Sequence, residues 1–433
     1  MDDEPGPSLT HHNVACTRCG CVCDDLSVTV SQNGGIKATS PDCRLATEFF
    51  SSLREPMPAL PAIADGKATR LENAVARAAE ILNEDRAPLF FGLSRSSTNG
   101  QRAAVELADL LSGTVDTTAS IGHGASIMAL QAAGESTSTL GEVRHRADLV
   151  IYWSSDPMQS HPRHIERFVD AKGMDTPSGR SDRHVVLVNS KVCQSSNQAD
   201  SFLRPNEGCD FEVLWTLRAL VKGLPVERKE IAGIPIEQLQ NLAERMKSCR
   251  YGAIFFGVQL TEGSVGHANV EALLRLVTDL NLHTRFVARR MRIPGDVTGA
   301  DSVLCWQTGF PFSVSLSRGY PRYNPGEFSA GPMLSRGDAD CVVLIGAERL
   351  EKFSEVSRQF LAGVPVIHLD PPGHDWGVRA TVRFHTAIDG VHRRGTVYRM
   401  DEVPVPVRQL VSSSLPSDEE VLRAVTRRIQ AIR

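Results

Sequence analysis

The sequence predicts an α/β protein: a small cysteine-rich β domain at the N-terminus, followed by two parallel-sheet α/β units. Three observations predict it. Five of the ten cysteines fall between Cys16 and Cys43. Beyond them, short continuous apolar runs alternate with amphipathic stretches, the pattern of strands buried on both faces and the helices that cover them. That alternation starts twice, and 433 residues are too many for one core.

The elements follow in order. The opening MDDEPGPSLTHHN is acidic and polar, so residues 1–14 are expected to be disordered. Residues 15–58 form the cysteine-rich domain. Within it, SVTVSQNGGIKA reads as strand, Gly-Gly turn and strand, a hairpin that folds Cys43 back toward the first cysteines. REPMPALPAIADG is a Pro-rich linker. The first α/β unit, 65–235, holds an amphipathic helix at Leu71–Glu84, a buried strand at Ala87–Ser94 and a helix at Asn99–Gly113, capped by Asn99 and stopped by Gly113. It continues with strands at Ala147–Pro157 and His184–Ser190 and a helix at Asp210–Gly223; Met174–Asp182 reads as a mobile surface insert. The second unit, 236–385, holds a strand at Tyr251–Leu260, a helix at Val270–Asn281, and strands at Asp340–Glu348 and Val364–Pro372. A C-terminal segment, 386–433, ends in the helix DEEVLRAVTRRIQAI.

Composition excludes several function classes. The formal net charge of −4 argues against a nucleic-acid partner. No apolar run is long enough to span a bilayer, so no membrane partner is expected. The N-terminus does not read as a secretion signal, and a cytoplasmic location is expected. No Gly-x-Ser-x-Gly elbow or Ser-His-Asp set points to an independent hydrolase.

The cysteines carry the strongest chemical signal. Cys16-x2-Cys19-x3-Cys23-x19-Cys43 supplies three thiolates from one tight loop and a fourth from a later turn, the supply a 4Fe–4S cubane needs. Cys21 falls between these positions and is read as a spare. A zinc site and a set of reduced, unligated thiols are the alternatives.

Ligands of parallel sheets lie in loops at the carboxyl ends of the strands. GLSRSSTNG, WSSDPMQSHPRH and VNSKVCQSSNQ are therefore the loops to inspect. GHGAS runs into an apolar helix and is either an anion-binding N-terminus or a plain turn. His161-Pro162-Arg163-His164 reads as a helix start, with phosphate or pterin contact as the sharper reading. RFVARRMR, Arg285–Arg292, is expected to be a solvated or phosphate-facing basic surface.

Taken together, CTRCGCVCDDL, SIGHGASIMALQ, HPRH, WQTGFPFSVSLSRGYPRYNPGEFSA and GTVYRMDEVPVPVR resemble the B subunit of formylmethanofuran dehydrogenase. The resemblance runs from about Cys16 to about Val411 and is most specific at Ser317–Ala330. It implies a formate dehydrogenase-like fold without the C-terminal β-barrel. It also implies a 4Fe–4S cluster on Cys16, Cys19, Cys23 and Cys43, and a molybdenum or tungsten ion between two pterin guanine dinucleotides. Ser126, Asp156, His161, Arg163, Arg318 and Tyr320 are the candidate cofactor-binding residues. The implied partners are an amidohydrolase-type A subunit and, in the related formyltransferase/hydrolase complex, formyltransferase-type subunits.

One position departs from the family's redox members. Their metal is held by a cysteine or selenocysteine in a segment like Ser-Ile-Cys-His-Gly; here the segment is Ser120-Ile121-Gly122-His123-Gly124. Glycine offers no donor to a soft metal. His123, the family's proton-handling neighbour, is then vestigial, and the metal–pterin cofactor is expected to be absent. Glu348 and the Val382–His385 segment also depart from the redox pattern. The preferred reading is a redox-inactive scaffold of the formyltransferase/hydrolase complex, with the segment of Arg318 and Tyr320 at a subunit interface or in the core. The alternatives are an active dehydrogenase interconverting CO2 and formate, with an oxygen ligand replacing the thiolate, and a module that binds a nucleotide without metal.

Overall fold

A computed structural model describes residues 8–32, 34–53, 58, 60–84, 87–263, 265–293, 295–373 and 377–433. The chain divides into two compact units: unit 1 is Met1–Ile121 with Pro294–Arg433, and unit 2 is Gly122–Ile293. This corrects the sequential partition into 65–235 and 236–385. The strand Tyr251–Phe256 pairs with Leu149–Trp153, and Cys341–Ile345 pairs with Pro88–Gly92, so partners come from both expected blocks in each case. Parallel strands are joined by crossovers of any length, and local pattern does not say which strand meets which.

In unit 1, the strands Leu9–Val14, Leu26–Val30 and Ile36–Ser40 form an antiparallel sheet. The expected disorder of 1–14 is thereby corrected for Leu9–Val14, while residues 1–7 lie outside the described residues. The strand shows no apolar alternation because most of its side chains are exposed; backbone pairing holds it, with Thr10 Oγ1 2.9 Å from Thr29 Oγ1. Cys43 stands at the N-cap of the helix Arg44–Ser52, which buries Ala46 and Phe50. Residues 54–57 and 59 of the expected linker lie outside the described residues, and Ala62–Ala64 is already strand.

The main sheet of unit 1 runs, in spatial order, Arg322–Tyr323, Val314–Ser315, Thr114–Thr117, Pro88–Gly92, Cys341–Ile345, Val366–Asp370, Val382–His385, Ala62–Ala64 and Lys67–Thr69. The five from Thr114–Thr117 to Val382–His385 are parallel, as their continuous apolar runs require. The flanking strands are antiparallel. Helices Leu71–Glu84, Thr98–Leu110 and Asp418–Ile432 close one core with Phe90, Val343 and Phe384. The last helix starts at a capping box, Ser417 with Glu420, and buries Val421, Leu422, Val425 and Ile429.

Unit 2 is a parallel sheet in the order Ser201–Leu203, His184–Val188, Leu149–Trp153, Tyr251–Phe256, Arg285–Arg290. Helices Asp210–Val221, Ile236–Ser248 and Gly266–Leu280 supply its core with Leu214, Met246 and Leu273. Two expectations change here. The basic stretch is not a solvated surface: Arg289, Arg290 and Arg292 are buried, Arg289 Nε donating to Ser138 O and Arg290 pairing with buried Glu135. The insert lies on the surface, with Met174 81% exposed, but is anchored: Thr176 is fully buried and bonded to the Arg183 guanidinium, which also binds the carbonyls of Ala147, Val169 and Ala171. No helix among the described residues is long and apolar enough to cross a membrane.

Candidate functional site

The cysteine loop is closed on itself. Cys16 N donates to Cys23 O at 2.8 Å and Val22 N to Cys19 O at 3.1 Å. Val22, a β-branched residue, sits at φ 37, where only glycine is at ease. Its side chain packs with Ala15, Val397, Val405 and Val407 beneath the loop. Gly295, at φ +30, lies so close that a Cβ would stand 2.8 Å from Thr17 O. Cys16, Cys19, Cys21, Cys23 and Cys43 are buried and form no disulfide.

These thiols feel one another. Burial first, then Cys19, Cys23 and Cys43, push the Cys16 thiol far above its ordinary range; burial, then Cys19 and Cys23, push Cys43 the same way. Thiolates that repel each other in a dry site are the donor set that iron neutralises. The residues fit a thiolate-bound cluster, which Cys16, Cys19, Cys23 and Cys43 would hold. Among the described residues no three His, Cys, Asp or Glu side chains converge to hold one metal ion. A cubane interposes iron and sulfide between its thiolates and so spaces them more widely than one ion does.

The carboxyl ends of the unit 1 strands carry a narrow cavity of about 40 Å³, lined by Arg18, Arg95, Ser96, Glu348, Asp389 and Asp418 among others. Its arginines pair internally. Arg95 binds Asp370 at 2.6 Å and lies 3.6 Å from Glu348, which Arg18 approaches to 3.7 Å. Burial raises the Glu348 carboxyl, and the two arginines pull it back. The acids stand at helix N-termini. Asp296 caps Val297–Thr308, Asp389 accepts from Ser97 N at the start of Thr98–Leu110, and Asp418 opens the last helix. Burial moves them up, to about 8, 6 and 7 respectively.

Unit 2 carries a wider, polar crevice of about 530 Å³ at the carboxyl ends of Leu149–Trp153, His184–Val188 and Tyr251–Phe256. Strand order reverses there, the expected ligand position of an open parallel sheet. Its charged lining is Asp156, Lys191, Glu207, Asp210 and Glu262, with Lys191 already paired to Glu207 at 2.8 Å. The lining is acidic and does not fit a pyrophosphate.

The remaining predicted residues are placed as follows. Gly122 ends the short helix Ala119–Gly122, is buried and has no positive φ, so the backbone does not demand glycine there. It presents only a carbonyl, which accepts from Thr261 Oγ1 at 3.2 Å. The position supplies no side-chain donor, and the residues present do not fit a thiolate-anchored metal. His123 Nε2 lies 2.9 Å from Ile293 O, and Ser126 Oγ donates to His123 O. His161 Nε2 lies 3.1 Å from Arg292 O, and burial lowers its pKa to about 4. Arg163 pairs with Glu166 at 2.8 Å. Asp156 accepts from Gln194 N, Ser195 N and Ser195 Oγ, fixing the loop after His184–Val188. Arg318 and Tyr320 are exposed at the tip of the Val314–Ser315/Arg322–Tyr323 hairpin. Unit 2 therefore brings His123 and His161 to adjacent carbonyls, and only Asp156 of its four cofactor candidates to the crevice.

Sequence reasoning missed Asp116 and Asp210. Asp210 accepts from Trp153 Nε1 and Ser154 Oγ at the crevice. Its one sequence signal was its place at the start of an apolar helix.

The chain is 35% identical over 429 residues, 96% of its length and 98% of the relative's, to the B subunit of tungsten-containing formylmethanofuran dehydrogenase 2 from Methanocaldococcus jannaschii. The chain belongs to the formylmethanofuran dehydrogenase B-subunit family. Another relative, the B subunit of the formyltransferase/hydrolase complex Fhc of Methylorubrum extorquens, is 27% identical over 286 residues, 65% of this chain and 73% of that one. A chain of the crystal structure of the formyltransferase/hydrolase complex FhcABCD from the same organism, in complex with methylofuran, superposes with a TM-score of 0.73. It covers 86% of this chain and 99% of its own, at 23% identity, and so shares the fold. No protein-family model matches the chain. This member of the family has all four cysteines of the cluster motif and Gly122 at the position where the resemblance expects a metal-binding thiolate.

Proposed function

We propose that this B subunit is the redox-inactive scaffold of a formyltransferase/hydrolase-type complex in methanofuran-linked one-carbon metabolism. It holds an amidohydrolase-type A subunit and formyltransferase-type subunits that together yield formate from a formyl carrier. Gly122 carries the reading: a heavy metal gains no sulfur from a residue without a side chain. Two features of the strand ends support it. The unit 1 cavity is far smaller than the roughly 300–1,000 Å³ of a ligand pocket, and its arginines are spent on Glu348 and Asp370. The unit 2 crevice is acidic where phosphates need cations. The cysteine loop keeps an iron–sulfur cluster as a structural staple.

A second reading, an active tungsten or molybdenum dehydrogenase, is favoured by the tungsten-containing relative at 35% identity. A third reading, a nucleotide held without metal, has no free cationic lining in the unit 2 crevice to favour it. One experiment separates them. The complex is purified without oxygen and analysed for metals and for nucleotide released on denaturation. The expected result is iron, lost in Cys16→Ser, with neither tungsten nor molybdenum and no guanine nucleotide. Stoichiometric tungsten or molybdenum with formate oxidation refutes the scaffold; nucleotide without metal establishes the third reading.

A further inference from the structure

Unit 2 begins at Gly122 and ends at Ile293, so its first and last residues must meet for the unit to close. Three side chains act where they meet. His123 Nε2 lies 2.9 Å from Ile293 O and 3.3 Å from Ile293 N. His161 Nε2 lies 3.1 Å from Arg292 O. Thr261 Oγ1 lies 3.2 Å from Gly122 O and shares its one proton between that carbonyl and Val258 O. His123, His161 and Arg292 are at most 3% exposed and Gly122 is buried, while Thr261 and Ile293 are half-buried.

The His123 contact is unusual in its logic. One ring nitrogen faces both the acceptor and the donor of a single residue. With its proton on Nε2 the imidazole donates to Ile293 O; with the proton on Nδ1 it accepts from Ile293 N. Either neutral tautomer therefore keeps one bond to Ile293. His161 adds a second bond one residue earlier, and its own Nδ1 is 2.9 Å from Ser160 Oγ, which in turn bonds Asp156 O. The His123 carbonyl is also used, by Ser126 Oγ and Ile127 N, which ties the bend to the helix Gly124–Ala133.

We infer that His123 and His161 form a two-histidine latch that holds the entry and exit of unit 2 together, and that His123 is a positioning residue rather than a proton carrier. The inference goes beyond the scaffold reading and accounts for a histidine beside Gly122 that the lost metal does not explain. A ring committed to Ile293 through Nε2 has only Nδ1 left for any other partner. The latch also depends on side-chain hydrogen bonding alone, so an amide of similar reach replaces it: glutamine can donate to Ile293 O or accept from Ile293 N.

The test is hydrogen exchange by mass spectrometry on the full chain, comparing wild type, His123→Ala, His123→Gln and Thr261→Val. Losing one such bond corresponds to about five- to tenfold in the local opening constant. His123→Ala is expected to speed exchange by at least that factor in peptides covering 120–126 and 289–293, with Leu149–Trp153 and Tyr251–Phe256 unchanged. His123→Gln is expected to stay within about twofold of wild type. Thr261→Val, which leaves both histidines in place, is expected to open 120–126 without opening 289–293. Unchanged exchange in His123→Ala overturns the latch, as does equal acceleration through all of unit 2 or a glutamine variant that behaves like alanine. If His123→Ala does not fold, the glutamine and valine variants decide by the same peptides. None of these outcomes depends on metal content, so failure of the latch and failure of the scaffold reading are told apart.

Discussion

Asp116→Ala is expected to destabilise unit 1 by about 3–5 kcal/mol, and the structure sets that figure. Asp116 is fully buried at the end of Thr114–Thr117. Its carboxylate accepts from Ser120 Oγ at 2.6 Å, Ser313 N at 3.0 Å, Ser313 Oγ at 3.1 Å and Ala330 N at 2.7 Å. The two hydroxyls can turn to other partners; the two backbone N–H groups cannot. Each buried donor left alone costs about 1–3 kcal/mol, and the cavity left by the carboxyl adds to it. Against a typical total of about 5–15 kcal/mol this is a large fraction. Asn at the same position keeps an oxygen for one or two donors but turns an amide N–H₂ toward the rest, so its expected cost is smaller, about 2–3 kcal/mol. The assay is urea unfolding followed by circular dichroism, with hydrogen exchange at Ser313 and Ala330 reporting the local loss. A midpoint change worth less than about 1 kcal/mol in Asp116→Ala would show that the carboxylate does not hold the 313–330 segment.

Two further perturbations follow from unit 1. Burial raises Asp418 from 3.8 to about 7, Asp389 and Asp370 push the same way, and hydroxyls of Thr386 and Ser96 oppose them. A raised acid favours the folded state below its unfolded pKa, and that contribution is lost as pH rises through the folded value. Tm is therefore expected to fall between about pH 4 and 7, and Asp418→Asn to flatten that slope and raise Tm at pH 8; a slope unchanged in the variant refutes the assignment. Arg95→Leu removes the 2.6 Å partner of buried Asp370 and leaves buried Glu348 with Arg18 alone, and is expected to cost about 3 kcal/mol in urea unfolding, whereas the triple change Arg95→Leu, Glu348→Leu, Asp370→Asn recovers most of it. A single variant as stable as wild type would mean the network contributes nothing.

Much of the fold was legible because it is written locally. Buried parallel strands are apolar without a break, as in Leu149–Trp153 and Tyr251–Phe256, and the helix Asp418–Ile432 announces itself with Ser417 and Glu420. The gathering of the buried cysteines was legible because Cys16, Cys19 and Cys23 are kept close by the chain itself. What failed to show was pairing at a distance. The insertion of unit 2 depends on Cys341–Ile345 choosing Pro88–Gly92, and nothing in either run names the other. Gly92 hints at it only afterwards: at φ +120, a Cβ there would stand 2.5 Å from Ile345 O, so the two backbones touch where a side chain has no room. Buried charge was hidden for a similar reason. Asp116 is one of 51 acidic residues, and Arg289 reads like any surface arginine until its strand is seen to pack into a core.

The four cysteines and Gly122 then belong to one argument rather than to opposing ones. A cluster that carries electrons needs a redox partner; a cluster that folds a loop does not. The loop holds Val22 at φ 37, a backbone position worth about 1–3 kcal/mol of strain, beside the Cys16 and Cys43 thiols, which burial and their thiol neighbours raise. Both penalties persist only when something overrides them, and thiolate–iron bonds are of the right strength and sign to do so. Arg18, paired with Glu348, ties the same loop to the carboxyl end of Cys341–Ile345. Removing the metal thiolate at 122 leaves that folding task untouched. A chain with no sulfur at position 122 can therefore still require every one of Cys16, Cys19, Cys23 and Cys43.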